Sequence, residues 1–177
     1  MHAGDRDERI AAHTVLWAAG VRANKLGKVL GERAGAPLDK VGRVVVQPDM
    51  SVPGHPEIFV IGDLALYTHQ DGKTLPGVAP VAMQQGRYVA RVIRQRVGGG
   101  PPIAAFRYFN KGNLATIGRN KAVADFGFVH ISGFFAWFTW VFVHLMYLVE
   151  FENRMLVLTE WVYNYITRNR GARLITK

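Results

Sequence analysis

The sequence contains no cysteine, and that absence removes a whole range of chemistry. Disulfide scaffolds, thiolate metal sites, iron–sulfur clusters and dithiol redox relays all need thiols. Acidic residues are scarce as well: 13 Asp and Glu face 22 Lys and Arg, giving a net charge of +9. Such a balance points to anionic partners, nucleic acid or a membrane surface. No G-x-G-x-x-G occurs, so the phosphate cradle that opens a dinucleotide-binding βαβ unit is missing from these residues. Residues 1–9 are polar and charged and lack the apolar core of a secretory signal. Between Asp125 and Glu150 there is no charged side chain at all.

What is present suffices for a sizeable core, since 49% of the 177 residues are hydrophobic. Ile58–Ile61 is a continuous apolar run that predicts a strand buried on both faces. Gly62 ends it and sets Asp63 at the carboxyl edge of the sheet, where ligands bind in open α/β folds. A carboxylate there accepts hydrogen bonds from a polyol or ribose, although Gly-Asp is also plain turn chemistry. Thr14–Trp17 reads as a second strand, closed by Ala18, Ala19 and Gly20. Small residues at that point allow a tight turn or the close approach of a flat ligand. Residues 43–46 predict a strand, residues 24–35 a short mixed stretch of one or two helical turns, and residues 67–75 a polar loop. From Ala79 the pattern turns helical, with Pro80 in the first turn, where its missing N–H costs nothing. Val81, Ala82, Gln85, Val89, Val92 and Ile93 fall on one stripe. Gly98–Pro102 is linker-like, and residues 106–125 predict short strands around Gly112 and Gly118.

The last third has another character. Residues 126–149 are charge-free and crowded with aromatics, and a run of that length can span a bilayer core. Its firmly apolar part, residues 134–149, is short for a span. Spanning the membrane, lying along it, forming a buried core helix and making an oligomer contact all stay open. Trp161, Tyr163 and Tyr165 then precede Arg168, Arg170, Arg173 and Lys177, a pattern suited to an interface with anionic headgroups. The basic residues are not interleaved with a nucleic-acid-binding module, so no nucleic-acid partner is expected.

Five stretches, in order, carry a resemblance: TVLWAAGVRA (14–23), GRVVV (42–46), SVPGHPEIFVIGD (51–63), VAPVAMQQGRYVA (78–90) and FRYFNKGNLATIG (106–118). Together they resemble the C-terminal half of the type II NADH dehydrogenases, single-subunit flavoenzymes that pass electrons from NADH to membrane quinone. The resemblance implies an α/β fold, the C-terminal part of a Rossmann-like flavoprotein with two dinucleotide-binding domains, followed by an aromatic-rich helical segment that associates with membrane. Residues 1–24 would end the nicotinamide domain, 25–100 would belong to the FAD domain, 101–125 would be short strands of a C-terminal domain, and 126–177 would be membrane-associating helices, a transmembrane helix among the readings, with a basic tail.

The resemblance also implies site roles. Gly62 and Asp63 match the turn that binds the ribityl chain of FAD. Ala79, Pro80 and Val81 match the start of the helix beneath the isoalloxazine, and Ala19 and Gly20 the small-residue turn between the two domains. Met83, Gln84 and Lys111 match the quinone side; helix packing and a solvated loop lysine are the plain alternatives. Many members carry Ala-Gln where Ala79-Pro80 stands, so a side-chain hydrogen bond is lost here. The implied cofactor is FAD, with NADH and quinone as substrates and lipid as a partner; homodimerisation through the C-terminal region is compatible. No metal site and no catalytic acid–base side chain is expected. The implied location is the cytoplasmic face of a bacterial inner membrane. The missing glycine-rich loops imply a truncated piece that would be inactive alone, with an incomplete FAD site. Alternative readings are a non-catalytic membrane-associated remnant and a fragment of a soluble FAD/NAD(P) reductase.

Overall fold

A computed structural model describes residues 2–3, 6–7, 11–15, 20, 22–148 and 150–168. The chain forms two compact units, Met1–Phe109 and Asn110–Lys177.

In the first unit, β1 (His2–Ala3) and β2 (Arg6–Asp7) pair antiparallel. The stretch expected as one or two helical turns is a regular helix of 10 residues, α1 (Lys25–Ala34). Its ends explain it. The Asn24 side chain accepts the Leu26 N–H at the N-cap, and Gly35 closes the other end in the left-handed region at φ 60°. Next come β3 (Val44–Val45), β4 (Ser51–Val52), β5 (His55–Phe59), a one-turn 3-10 helix at Gly62–Leu64, and β6 (Ala65–Leu66). β3 and β6 run parallel, with Val44 opposite Ala65. β4 and β5 form an antiparallel hairpin. Pro53 and Gly54 make its turn, Pro fixing the first corner and Gly taking φ 80° at the second.

The expected two-face-buried strand at 58–61 is therefore corrected. Pairing runs from His55 to Phe59, Ile58 and Phe59 are half-buried, Val60 is buried and Ile61 is exposed. Thr14 and Val15 are exposed and outside any strand, while Leu16–Ala19 lie outside the described residues, as do Arg170, Arg173 and Lys177.

The predicted helix is α2 (Ala79–Val97), with Pro in its first turn. Its stripe buries Val81, Gln85, Tyr88, Val89 and Val92. Of these, Tyr88, Val89 and Val92 meet Val44, Val46, Met50, Val52, Val60, Tyr67 and Phe106 in one core. Ile93, on the predicted stripe, stays exposed. Arg96 fastens the far end of α2 to the hairpin: it pairs with Asp49 at 2.6 Å and lies over the Phe59 ring at 5.0 Å. Burial pushes the Asp49 carboxyl up, but Ser51 hydrogen bonds and the Arg96 guanidinium outweigh it and hold it below the ordinary value. After α2 an irregular segment is stitched to the core. Phe106 donates its N–H to the Pro48 carbonyl at 2.9 Å, Tyr67 donates to the Phe106 carbonyl, and Tyr88 donates to the Ala104 carbonyl at 2.8 Å.

The second unit is an antiparallel meander, β7 (Asn113–Gly118), β8 (Lys121–Asp125) and β9 (His130–Gly133), followed by α3 (Phe134–Tyr147) and α4 (Phe151–Thr167). Ala136 of α3 is fully buried with Ala122 and Ala124 of β8, so small side chains let helix and sheet approach closely. The charge-free run is thus divided between a strand and a helix of 14 residues. At 1.5 Å per residue that helix is about 21 Å long, short of a hydrocarbon core of about 30 Å. α4 is longer but carries Glu152, Arg154 and Glu160. No helix among the described residues is long and apolar enough to cross a membrane, which corrects the transmembrane-helix expectation.

Two helix glycines give a stability test. A Cβ on Gly27 of α1 would run into the Gly42 carbonyl oxygen, which is backbone and cannot yield. A Cβ on Gly31 would meet the flexible Leu38 Cδ1 at 3.1 Å. Gly27→Ala is expected to lower unfolding free energy by about 1–3 kcal/mol, as overpacking does. Gly31→Ala should stay within about 1 kcal/mol of the parent, because the gain in helix propensity offsets the adjustment of Leu38. Urea denaturation of both variants decides, and equal effects would contradict this seating of α1.

Candidate functional site

Gly62 and Asp63 sit on the 3-10 turn between β5 and β6. Gly62 adopts φ 68°, a conformation that favours glycine. Its N–H donates to Gln85 Oε1 at 2.7 Å, and Gln85 is only 1% exposed. A Cβ at Gly62 would lie 3.4 Å from the Ala82 Cβ, so the turn rests directly on α2. Gly62 therefore contributes shape, since its amide is already engaged.

Asp63 is exposed and lines a cleft of about 450 Å³ with Arg22, Asn24, Val41, Arg43 and Gly77. A Cβ at Gly77 would come within 3.3 Å of Asp63 Oδ1. Glycine at that position keeps a carboxylate face open that any side chain would crowd. Arg43 is committed to Asp39 at 2.7 Å. Burial pushes Asp39 up, but hydrogen bonds from the Arg43 amide and guanidinium and the Val41 amide outweigh it and hold the carboxyl below its ordinary value. Arg22 has no carboxylate partner among the described residues. The cleft thus offers an acceptor-only carboxylate, an uncommitted cation and room beside a glycine. This donor and acceptor set fits a hydroxylated chain that carries negative charge, as the ribityl phosphate part of FAD does.

The structure brings this turn against the early turns of α2, which carries Ala79, Pro80, Val81, Met83 and Gln84. The N-cap, Val78, gives no side-chain hydrogen bond. Val81 is buried, and Met83 and Gln84 are half-buried. Gln84 is engaged at both ends of its amide: Nε2 donates to the Phe109 carbonyl at 2.9 Å, and Oε1 accepts the Phe109 N–H at 3.0 Å. Gly20 has φ 80° with open space around it, and Ala19 lies outside the described residues. Lys111 belongs to the second unit, where its Nζ lies 3.4 Å from the Tyr147 hydroxyl and 5.9 Å from that ring's centre.

The contribution of Gln85 was not foreseen. The signal was a lone amide in the middle of an otherwise apolar stripe, a position that demands a buried partner.

Two family models match the chain. One, described as pyridine nucleotide-disulphide oxidoreductase, covers residues 1–86, and the other, the NDH2 C-terminal domain, covers residues 110–169. With the mixed α/β architecture, they place the chain in the class of α/β pyridine-nucleotide oxidoreductases. Among relatives, it is 43% identical over 174 residues to the type II NADH:quinone oxidoreductase NdhA of Mycobacterium tuberculosis, covering 96% of this chain and 36% of that protein. It is 41% identical over 170 residues to Ndh of the same organism, covering 95% and 36%. Among solved structures, NDH2 from Plasmodium falciparum in complex with NADH shares the fold with a TM-score of 0.63 at 18% identity, covering 91% of this chain and 46% of that one. The chain belongs to the type II NADH dehydrogenase family, and spans 36% of the length of the two mycobacterial relatives.

Replacing Gln85 tests the support of the turn. Gln85→Leu leaves the Gly62 N–H unpaired in a part-buried place, at an expected cost of about 1–3 kcal/mol. Gln85→Glu keeps the acceptor, so it should keep the Gly62 amide protected even though burying a carboxylate costs stability. Urea unfolding together with amide exchange at Gly62 reads both effects, and unchanged exchange in Gln85→Leu would contradict the anchoring role.

Proposed function

We propose that this chain is part of an FAD-dependent oxidoreductase that passes electrons from NADH through flavin to membrane quinone. The observation that carries the reading is the Gly62–Asp63 turn, set on α2 by Gln85 with its carboxylate facing an open cleft. In this reading Asp63 accepts hydrogen bonds from the ribityl hydroxyls, and Gly62 and Gly77 keep the approach clear. Ala79, Pro80 and Val81 present the start of α2 to the pyrimidine edge of the ring, where the helix dipole favours negative charge. Gly20, in open space at φ 80°, belongs to the small-residue turn that leaves the nicotinamide part of the chain. When bound, the flavin supplies the hydride and electron chemistry, so the residues of this chain bind, orient and exclude water and supply no acid–base group.

On the quinone side of the first unit, Met83 offers an apolar wall. Gln84 reaches a quinone only by giving up its two contacts to Phe109, and otherwise it shapes the site by holding Phe109 in place. Membrane association rests on the second unit. Phe134, Phe135, Phe138 and Phe142 of α3, with Leu156 and Ile166 of α4, are all exposed. An apolar surface of that kind marks a contact with lipid or protein, and the aromatic content favours the interfacial zone of a bilayer, with the helices lying on the membrane.

Fusing this chain to the N-terminal portion of the 43%-identical mycobacterial relative supplies a test of the flavin role. Asp63→Ala in that fusion should weaken flavin retention by about tenfold to a hundredfold, the effect of losing hydrogen bonds to a charged group. Flavin absorbance after gel filtration measures it, and full occupancy in Asp63→Ala would remove the assignment. For membrane contact, deletion of residues 134–177 should shift the protein from the vesicle pellet to the supernatant. Continued co-sedimentation would locate the contact elsewhere.

A further inference from the structure

The second unit contains a feature that the electron-transfer reading does not use. β7 and β8 are joined by a two-residue turn at Arg119–Asn120, with Asn120 at φ 60°. That tip docks on α4. The Arg119 guanidinium lies 4.1 Å from the centre of the Tyr165 ring and donates to the Tyr165 carbonyl. The Tyr165 hydroxyl returns a hydrogen bond to Asn120 Oδ1 at 3.1 Å. Beside the tip, α3 and α4 meet through Trp140 and Trp161, stacked at 5.5 Å, and Trp137 tilts against Tyr165 at 5.7 Å. Between these elements is a notch of about 600 Å³. Arg119 and Arg168 stand on its lining with the three tryptophans, and no carboxylate lines it. Neither arginine has an ion-pair partner among the described residues.

We infer that this notch binds the headgroup of an anionic phospholipid, with Arg119 and Arg168 holding the phosphate and the indoles of Trp137, Trp140 and Trp161 packing on the glycerol and upper acyl chain. The inference deepens the proposed membrane association and names its lipid class. Guanidinium groups bind phosphate through forked donors, and Arg119 spends only part of its donor set on the Tyr165 carbonyl. The indoles argue against a nucleic acid strand. Bases need free aromatic faces to stack on, whereas Trp140 and Trp161 cover one another and Trp140 also stacks on His144 at 4.0 Å. Their remaining edges suit aliphatic chain. The exposed phenylalanines of α3 extend the apolar surface beyond the notch.

The test uses the whole 177-residue chain, in which three of the four tryptophans line the notch. Intrinsic fluorescence is titrated with dihexanoyl phosphatidylglycerol kept monomeric, with dihexanoyl phosphatidylcholine, and with inorganic phosphate. The anionic lipid should give a saturable change, with the zwitterionic lipid at least about fivefold weaker and phosphate alone without effect. Arg119→Ala and, should the hairpin tip fail to hold, Arg168→Gln at the end of α4 should each weaken the anionic lipid by about fivefold or more. Arg94→Ala, on α2, should leave it unchanged. Equal response to both lipids, insensitivity to both notch variants, or displacement by a single-stranded oligonucleotide would overturn the inference. Vesicle sedimentation separates it from the membrane reading. Pelleting that ignores headgroup and both arginines keeps membrane association and overturns the notch. Monomeric lipid binding without pelleting on any vesicle keeps the notch and overturns membrane association.

Discussion

Much of the first unit depends on one helix satisfying backbone that has no regular partner. Buried N–H and carbonyl groups outside helices and ladders must still be bonded, and irregular segments fold only where side chains supply the bonds. α2 supplies them on several sides. Gln85 takes the Gly62 amide, Tyr88 takes the Ala104 carbonyl, and Gln84 takes both backbone groups of Phe109. Gln70 does the same for both backbone groups of Tyr108. The candidate cofactor turn and the irregular chain after α2 are thereby referred to a common rigid element. A loop bearing a candidate ligand carboxylate becomes as precise as the helix beneath it.

Phe106 shows why those bonds hold. Its ring is buried between Tyr67 and Tyr88, edge-on to each at 5.4 and 5.5 Å. The same two tyrosines donate to carbonyls of the segment that carries it. Each tyrosine thus packs its ring against the plug and bonds its tip to the backbone, an arrangement that suits an amphipathic side chain. Burial pushes both phenols above their ordinary value, so they remain donors throughout the neutral range.

The legible parts of the fold were those set by local rules. Helix α2 followed from its stripe and from Pro80, and of the strands expected over 106–125 those at 113–118 and 121–125 formed. The misread parts were set by partners distant in sequence. The run 58–61 looked doubly buried, yet the Pro53–Gly54 turn folds its beginning back on Ser51–Val52 and pairing ends at Phe59. α1 was obscured because Gly27 and Gly31 lower its helix propensity, and their reason is contact with Gly42 and Leu38. The charge-free run looked long enough to span a bilayer because hydropathy does not register that Gly133, at φ 75°, ends a strand just before a helix begins.

Pro80 bears on the site in the same physical terms. A helix start normally offers several unbonded N–H groups to an anion. Here Pro80 has none, and the Val81 and Ala82 amides turn back to the Val78 carbonyl at 3.0 and 3.4 Å. What the first turn of α2 has left for a ring edge carrying negative charge is the Ala79 amide and the field of a 19-residue helix. A field acts without fixing a donor direction, so it stabilises charge on a flat ring while imposing little on its exact placement. Placement must then come from elsewhere, and in the proposed site the group fixed firmly enough to supply it is Asp63, whose turn is tied to Gln85.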